Sequence, residues 1–210
     1  MREFFLEMKK YLAPFNISVI ICCILVYIIG EILCLKTGYD ILYERFALNW
    51  KLVLEDGEYY RTLTYMLLHG GISHLFSNIF VLFFVGGTVE RALGGFKYLV
   101  NYVASGFVAG VISVYYNKWL YYHTLVDKAM VYSVGASGAI FGVVGALLWL
   151  AVANKGRIEG VSTRRMIMFI LLSVYEGFAN SGIDNAAHLG GLLFGVLSAV
   201  ILYNKRKVIT

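Results

Sequence analysis

Six apolar runs, most of them near the roughly 17 to 25 residues that cross a hydrocarbon layer, dominate this chain. They fall at about Ile17–Leu35, Ile72–Val89, Tyr98–Tyr116, Val134–Ala153, Met166–Phe178 and Ala186–Tyr203. The fifth is short and can be extended back to about Thr163. In lipid every backbone amide must be paired internally, so such runs are read as helices. Only 15% of the 210 residues are charged, 60% are hydrophobic, and mean hydropathy is +0.73. That is too few charges for the surface of a soluble domain. The expected fold is an all-α bundle of six transmembrane helices.

The net charge of +5 raises the question of nucleic acid. The basic residues lie between the apolar runs, with no basic stripe and no nucleic-acid motif, so no nucleic-acid partner is expected. They report topology instead. Of the 18 Lys and Arg residues, Lys36, Arg45, Lys51, Arg61, Lys118 and Lys128 fall on one side and the other twelve on the opposite side. The positive-inside rule then puts both termini in the cytoplasm. Residues 1–15 form a short cytoplasmic segment in this reading, and residues 1–210 a single transmembrane domain. Lys9 and Lys10 before the first run resemble a secretory signal, but no small-residue cleavage site follows, so the helix is read as retained. Cys22, Cys23 and Cys34 cluster in that helix and read as small packing residues. The outer stretch from Lys36 to Gly71 carries Trp50, Tyr59 and Tyr60, and its length calls for structure of its own.

Four polar residues stand out within the apolar runs: His74 and Asn78 in the second, Ser137 in the fourth, and His188 in the sixth. Burying a hydroxyl, two imidazoles and an amide in hydrocarbon is costly unless they meet one another or water. With the N-terminus inside, the second, fourth and sixth helices all run inward. His74, Ser137 and His188 each lie near the start of one of them, hence at similar depth in the outer half. The fourth helix carries Gly138-x-x-x-Gly142-x-x-x-Ala146 and the sixth Gly191-x-x-x-Gly195. Small residues four apart let membrane helices approach closely. His188, Gly191 and Gly195 share one face, so docking of the two faces brings His188 toward Ser137.

Four segments resemble the rhomboid intramembrane serine proteases in their compact six-helix form: His69-Gly-Gly-Ile-Ser-His74-Leu-Phe-Ser-Asn78, Glu90-Arg91-Ala92-Leu93-Gly94, Gly135-Ala136-Ser137-Gly138 and Ala187-His188-Leu189-Gly190-Gly191. They occur in family order between about Glu58 and Tyr203. The resemblance implies a serine endopeptidase in which Ser137 is the nucleophile, His188 its general base, and His74 and Asn78 stabilise the oxyanion. It further implies single-span membrane proteins as substrates, admitted between the second and fifth helices, with residues 179–187 as a lid. No cofactor and no metal is called for, and a bacterial plasma membrane is the expected location. Two departures from the family pattern stand out. Phe141 replaces the Tyr that stacks on the base, and Tyr60-Arg61 replaces a Trp-Arg pair in the outer loop.

The remaining polar residues read as structural. His69 falls five residues before His74, so on a helix the two would not share a face. His123 is placed in an outer loop beside Tyr121 and Tyr122. Glu90 and Arg91 read as a hydrogen-bonding clamp, and Asp184 and Asn185 as caps. Glu176 lines the cavity or faces the interface. Other chemistries fail on residues: there is no His-Glu-x-x-His, Asp40, Asp56, Asp127 and Asp184 all fall in loops, and Ala139 stands where a nucleophile elbow needs Gly. The alternative reading is a catalytically silent relative, a membrane scaffold that binds transmembrane clients. Substrate identity and oligomeric state are not written in the sequence.

Overall fold

The computed structural model describes residues 13–124, 131–159, 161–179 and 183–204. The start of the N-terminal segment, Asp127, Lys205 to Lys207, the Glu176 side chain and the centre of the 179–187 segment lie outside the described residues. Among the described residues six long helices carry the architecture: α1 (Pro14–Thr37), α5 (Ile72–Leu93), α6 (Gly95–His123), α7 (Ser137–Ala153), α8 (Thr163–Ala179) and α9 (Asn185–Leu202). Each overlaps one of the apolar runs. Of these, α1, α5, α6 and α9 are long and apolar enough to cross a membrane. The equally apolar α7 has 17 residues, about 26 Å at 1.5 Å per residue.

Local chemistry sets the boundaries. Pro14 opens α1, where its missing N–H costs nothing, and Gly38, at φ 81°, closes it. The first amides of α1 are capped from another helix: Phe15 and Asn16 donate to the Glu90 carboxylate at 3.2 and 2.7 Å. The expected Glu90 clamp is therefore a helix cap supplied in trans. Glu90→Ala leaves two amides without their acceptor, and about 1–3 kcal/mol of stability should go with it, read as a lower thermal midpoint in detergent. An unchanged midpoint would refute that role. Arg91 pairs with Glu159 in the α7–α8 connection, and Thr88 donates to the same carboxylate at 2.8 Å. Burial alone would raise the Glu159 pKa, but the hydrogen bonds from Arg91 and Thr88 outweigh it and hold the carboxyl below its usual range.

Three features depart from the sequence reading. A π-turn, Leu82–Gly86, interrupts α5. Asn16 fills the irregularity, donating to the Leu82 carbonyl at 3.0 Å while its own oxygen accepts from the Tyr98 hydroxyl at 2.7 Å. Secondly, α6 runs on to His123 instead of stopping near Tyr116, because Trp50 packs against Tyr121 and Tyr122, with ring centroids 5.3 and 6.2 Å away. His123 is thus the last residue of a helix, stacked on Trp119, and not a loop residue. Thirdly, a small antiparallel hairpin, β1 (Arg157–Ile158) with β2 (Val161–Ser162), links α7 to α8.

The stretch from Lys36 to Gly71 has the structure its length demanded: short helices α2 (Ile41–Phe46), α3 (Trp50–Leu54) and α4 (Arg61–Thr64), then a 3₁₀ turn over Tyr65–Leu67. Arg61 holds them together. It is 4% exposed, donates to the Ala47 and Glu44 carbonyls at 2.8 and 2.9 Å, and pairs with Glu58. The hydrogen bond from Arg61 keeps the Glu58 carboxyl below the ordinary carboxylate range.

Helix α7 is the hub, buried along most of its length against α5, α6 and α9. Its tightest neighbour is α9, as the small-residue pattern implied. A Cβ on Gly191 would strike the Gly138 carbonyl, one on Gly195 the Gly142 carbonyl, and one on Gly145 the Leu192 carbonyl. On its other side, a Cβ on Gly142 would meet the Ser105 side chain of α6. Backbone-to-backbone contact at these points fixes how α9 slides and turns against α7.

Candidate active site

Ser137 is the first residue of α7 and is reached by an extended approach. Ser133 exchanges two backbone hydrogen bonds with Leu48 at 2.8 and 2.9 Å, and the Gly135 amide donates to the Tyr65 carbonyl at 3.0 Å. Gly135 takes φ 130°, a backbone shape that L side chains rarely adopt. The Ser137 amide lies in the first turn, where N–H groups lack intrahelical acceptors.

Across the α7–α9 contact, His188 Nε2 lies 2.8 Å from Ser137 Oγ. The imidazole is 9% exposed and stacks on Phe141, with centroids 4.2 Å apart and planes 11° from parallel. Phenylalanine at 141 therefore preserves the ring stacking. His188 Nδ1 has no hydrogen-bond partner among the described residues. Among the described residues the pair is thus two-membered, a hydroxyl and an imidazole without a carboxylate on the far nitrogen.

His74 and Asn78, one turn apart on α5, close the opposite side. A Cβ on Gly135 would sit 2.6 Å from His74 Cε1, 2.7 Å from its Nε2 and 3.7 Å from Asn78 Nδ2. Glycine at 135 is what admits both side chains beside the serine turn. Asn78 is 7% exposed and its Nδ2 has no acceptor among the described residues. A buried amide donor aimed at the serine turn without an acceptor is costly to maintain and suits an oxygen that arrives with substrate. All four candidates are brought together from three helices.

His69 corrects one expectation. Its ring meets that of His74 edge-on, with centroids 5.3 Å apart. Helical spacing does not relate the two rings, because Leu68 to Gly71 lie outside the helix that begins at Ile72. Burial, with His74 alongside, pushes the His69 imidazole down to about 4, against a weaker upward pull from the Leu67 backbone, so it is neutral near pH 7. Among the described residues no three metal-ligating side chains converge.

A family model for the rhomboid domain matches residues 56–205, nearly three quarters of the chain and all four candidate residues. The chain belongs to the rhomboid family. It is similar to the rhomboid protease GluP of Bacillus subtilis (strain 168), 37% identical over 150 residues covering 71% of this chain and 27% of GluP. It is also similar to the rhomboid protease AarA of Providencia stuartii, 38% identical over 161 residues covering 69% of this chain and 56% of AarA. The putative rhomboid protease YdcA of Bacillus subtilis (strain 168) is 32% identical over 168 residues, 80% of this chain and 79% of that protein. The chain thus spans about a quarter of GluP and just over half of AarA. Rhomboid membership and the long apolar helices make it an integral membrane protein.

Proposed function

We propose that this rhomboid-family chain is an intramembrane serine endopeptidase of a bacterial plasma membrane. It folds as one domain with six membrane-crossing helices and both termini cytoplasmic, and cuts single-span substrates near the outer face. The observation that carries this reading is the 2.8 Å approach of Ser137 Oγ to His188 Nε2 beside an Asn78 amide that has no acceptor among the described residues. In the proposed reaction the hydroxyl proton passes to Nε2 as Oγ attacks the scissile carbonyl. Asn78, His74 and the amides of the α7 first turn receive the oxyanion, aided by the helix dipole. The imidazolium then protonates the leaving amine, and the same ring takes a proton from the water that hydrolyses the acyl-enzyme. A helical substrate hides its carbonyls in its own hydrogen bonds, so the segment must unwind locally. It enters between α5 and α8, with the 179–187 segment as lid.

The test is covalent. A fluorophosphonate probe should leave its adduct on Ser137, read by peptide mass spectrometry, and the protein in proteoliposomes should cut a single-span substrate. A folded protein that does neither is the silent scaffold, and the hydrolase reading falls. Asn78→Ala supplies a graded check: kcat should drop about 10²- to 10³-fold with KM near unchanged, because the donor acts mainly on the transition state. An unaltered kcat would remove Asn78 from the oxyanion site.

A further inference from the structure

The base and the nucleophile are tied together a second time, above the dyad, by one carboxylate. Asp184 caps α9, its Oδ1 accepting the Ala187 amide at 3.0 Å. That much is ordinary helix chemistry. Its other oxygen, Oδ2, leaves the helix. It accepts from the Ser113 hydroxyl of α6 and, at 3.0 Å, from the Ser133 hydroxyl of the approach to α7. Asn117 braces Ser113 from one turn away, donating to its hydroxyl at 3.2 Å and its carbonyl at 3.0 Å. Ser133 is itself pinned to Leu48 of the outer stretch.

The register of these contacts is informative. Ser133 stands four residues before Ser137, and Asp184 four residues before His188. The His188 amide donates to the Asp184 carbonyl at 3.1 Å, so the base sits on the turn that Asp184 caps. Each half of the dyad therefore hangs from the same carboxylate, through a short and stiff piece of backbone. The small-residue contacts below set how closely α7 and α9 approach. The Asp184 bridge above fixes the start of α9 against the extended segment that delivers Ser137.

We infer that Asp184 is a positioning residue for the Ser137–His188 pair, acting through the backbone that carries both; this rests on the proteolytic reading proposed above. A helix cap alone needs one acceptor, which Ser or Thr provides. The bridge needs two more lone pairs on a group long enough to reach α6 and Ser133, and a carboxylate supplies them. Asparagine retains the reach. Its oxygen can cap while its amide donates to serine oxygens, which accept as readily as they donate.

Four variants test this, each compared with wild type for thermal midpoint, fluorophosphonate labelling rate, kcat and KM in the same proteoliposomes. Asp184→Ser keeps a capping oxygen and loses the bridge. The Ser113→Ala/Ser133→Ala double variant loses the bridge and keeps the native cap. Both should slow labelling and kcat to the same degree, by up to about 100-fold, with KM little changed. Combining them should add no further loss, and Asp184→Asn should recover most of the rate. A cap-only role predicts wild-type rates for Asp184→Ser, and that result overturns the inference. So does a loss that tracks the folded fraction, or one confined to KM. Failure of the wild-type chain to label at Ser137 would be a different result, overturning the proteolytic reading on which this one stands.

Discussion

Ser137→Ala should lower cleavage of a single-span substrate below detection, on the scale of the roughly 10⁶-fold fall in kcat seen when a serine protease loses its nucleophile. The substitution removes one oxygen at the start of α7, where the side chain is partly exposed, so the fold should survive with a thermal midpoint near wild type. His188→Ala should cost nearly as much, since the hydroxyl is a weak nucleophile without its base. The double variant should be no worse than either single one, as groups that act as a unit are not additive. Cleavage kinetics in proteoliposomes, with folding checked by thermal melting, decide the matter. Robust turnover by Ser137→Ala would remove the serine mechanism.

Gly195→Val should be as damaging while leaving every reacting atom in place. Any Cβ at 195 collides with the Gly142 carbonyl, and a backbone atom cannot swing aside as a side chain can. Relief requires α9 to move off α7, breaking the Ser137–His188 contact a few residues above. Overpacking costs typically about 1–3 kcal/mol and sometimes more, so a fall in thermal midpoint should accompany loss of labelling and cleavage. Leu197→Val is the control. That residue is 55% exposed on the same helix, and its substitution should change neither quantity. Wild-type activity in Gly195→Val would mean that the α7–α9 distance does not govern the dyad.

Both predictions rest on features that were plain in the sequence, and the reason is energetic. Polar side chains are expensive in apolar runs, so Ser137, His188, His74 and Asn78 stand out against their surroundings. Glycine at four-residue spacing announces a close helix contact before any coordinates exist. What escaped the sequence depends on chain paths that periodicity does not encode. His69 meets His74 only because Leu68 to Gly71 leave the helical path. The α6 overrun to His123 depends on Trp50, distant in sequence. Arg61 binds carbonyls, which every residue possesses, so its partners Ala47 and Glu44 leave no compositional trace. Asp184 was legible as a cap, whereas its reach to Ser113 and Ser133 joins three separate segments.

The irregular turn at Leu82–Gly86 gives α5 a built-in phase shift. A π-turn holds one more residue than the α-helical turn it replaces, and each residue rotates a helix by about 100°. The azimuth of His74 and Asn78 is therefore set relative to Glu90 by that single surplus residue, which Asn16 of a different helix stabilises. Winding the same residues as a regular α-helix would leave Glu90 gripping α1 and turn His74 and Asn78 by about 100° away from Gly135, whereas excising one residue from the turn would restore regular winding with both ends still aimed. The His74 end of α5 is thus aimed from its Glu90 end, like a key cut to a particular twist.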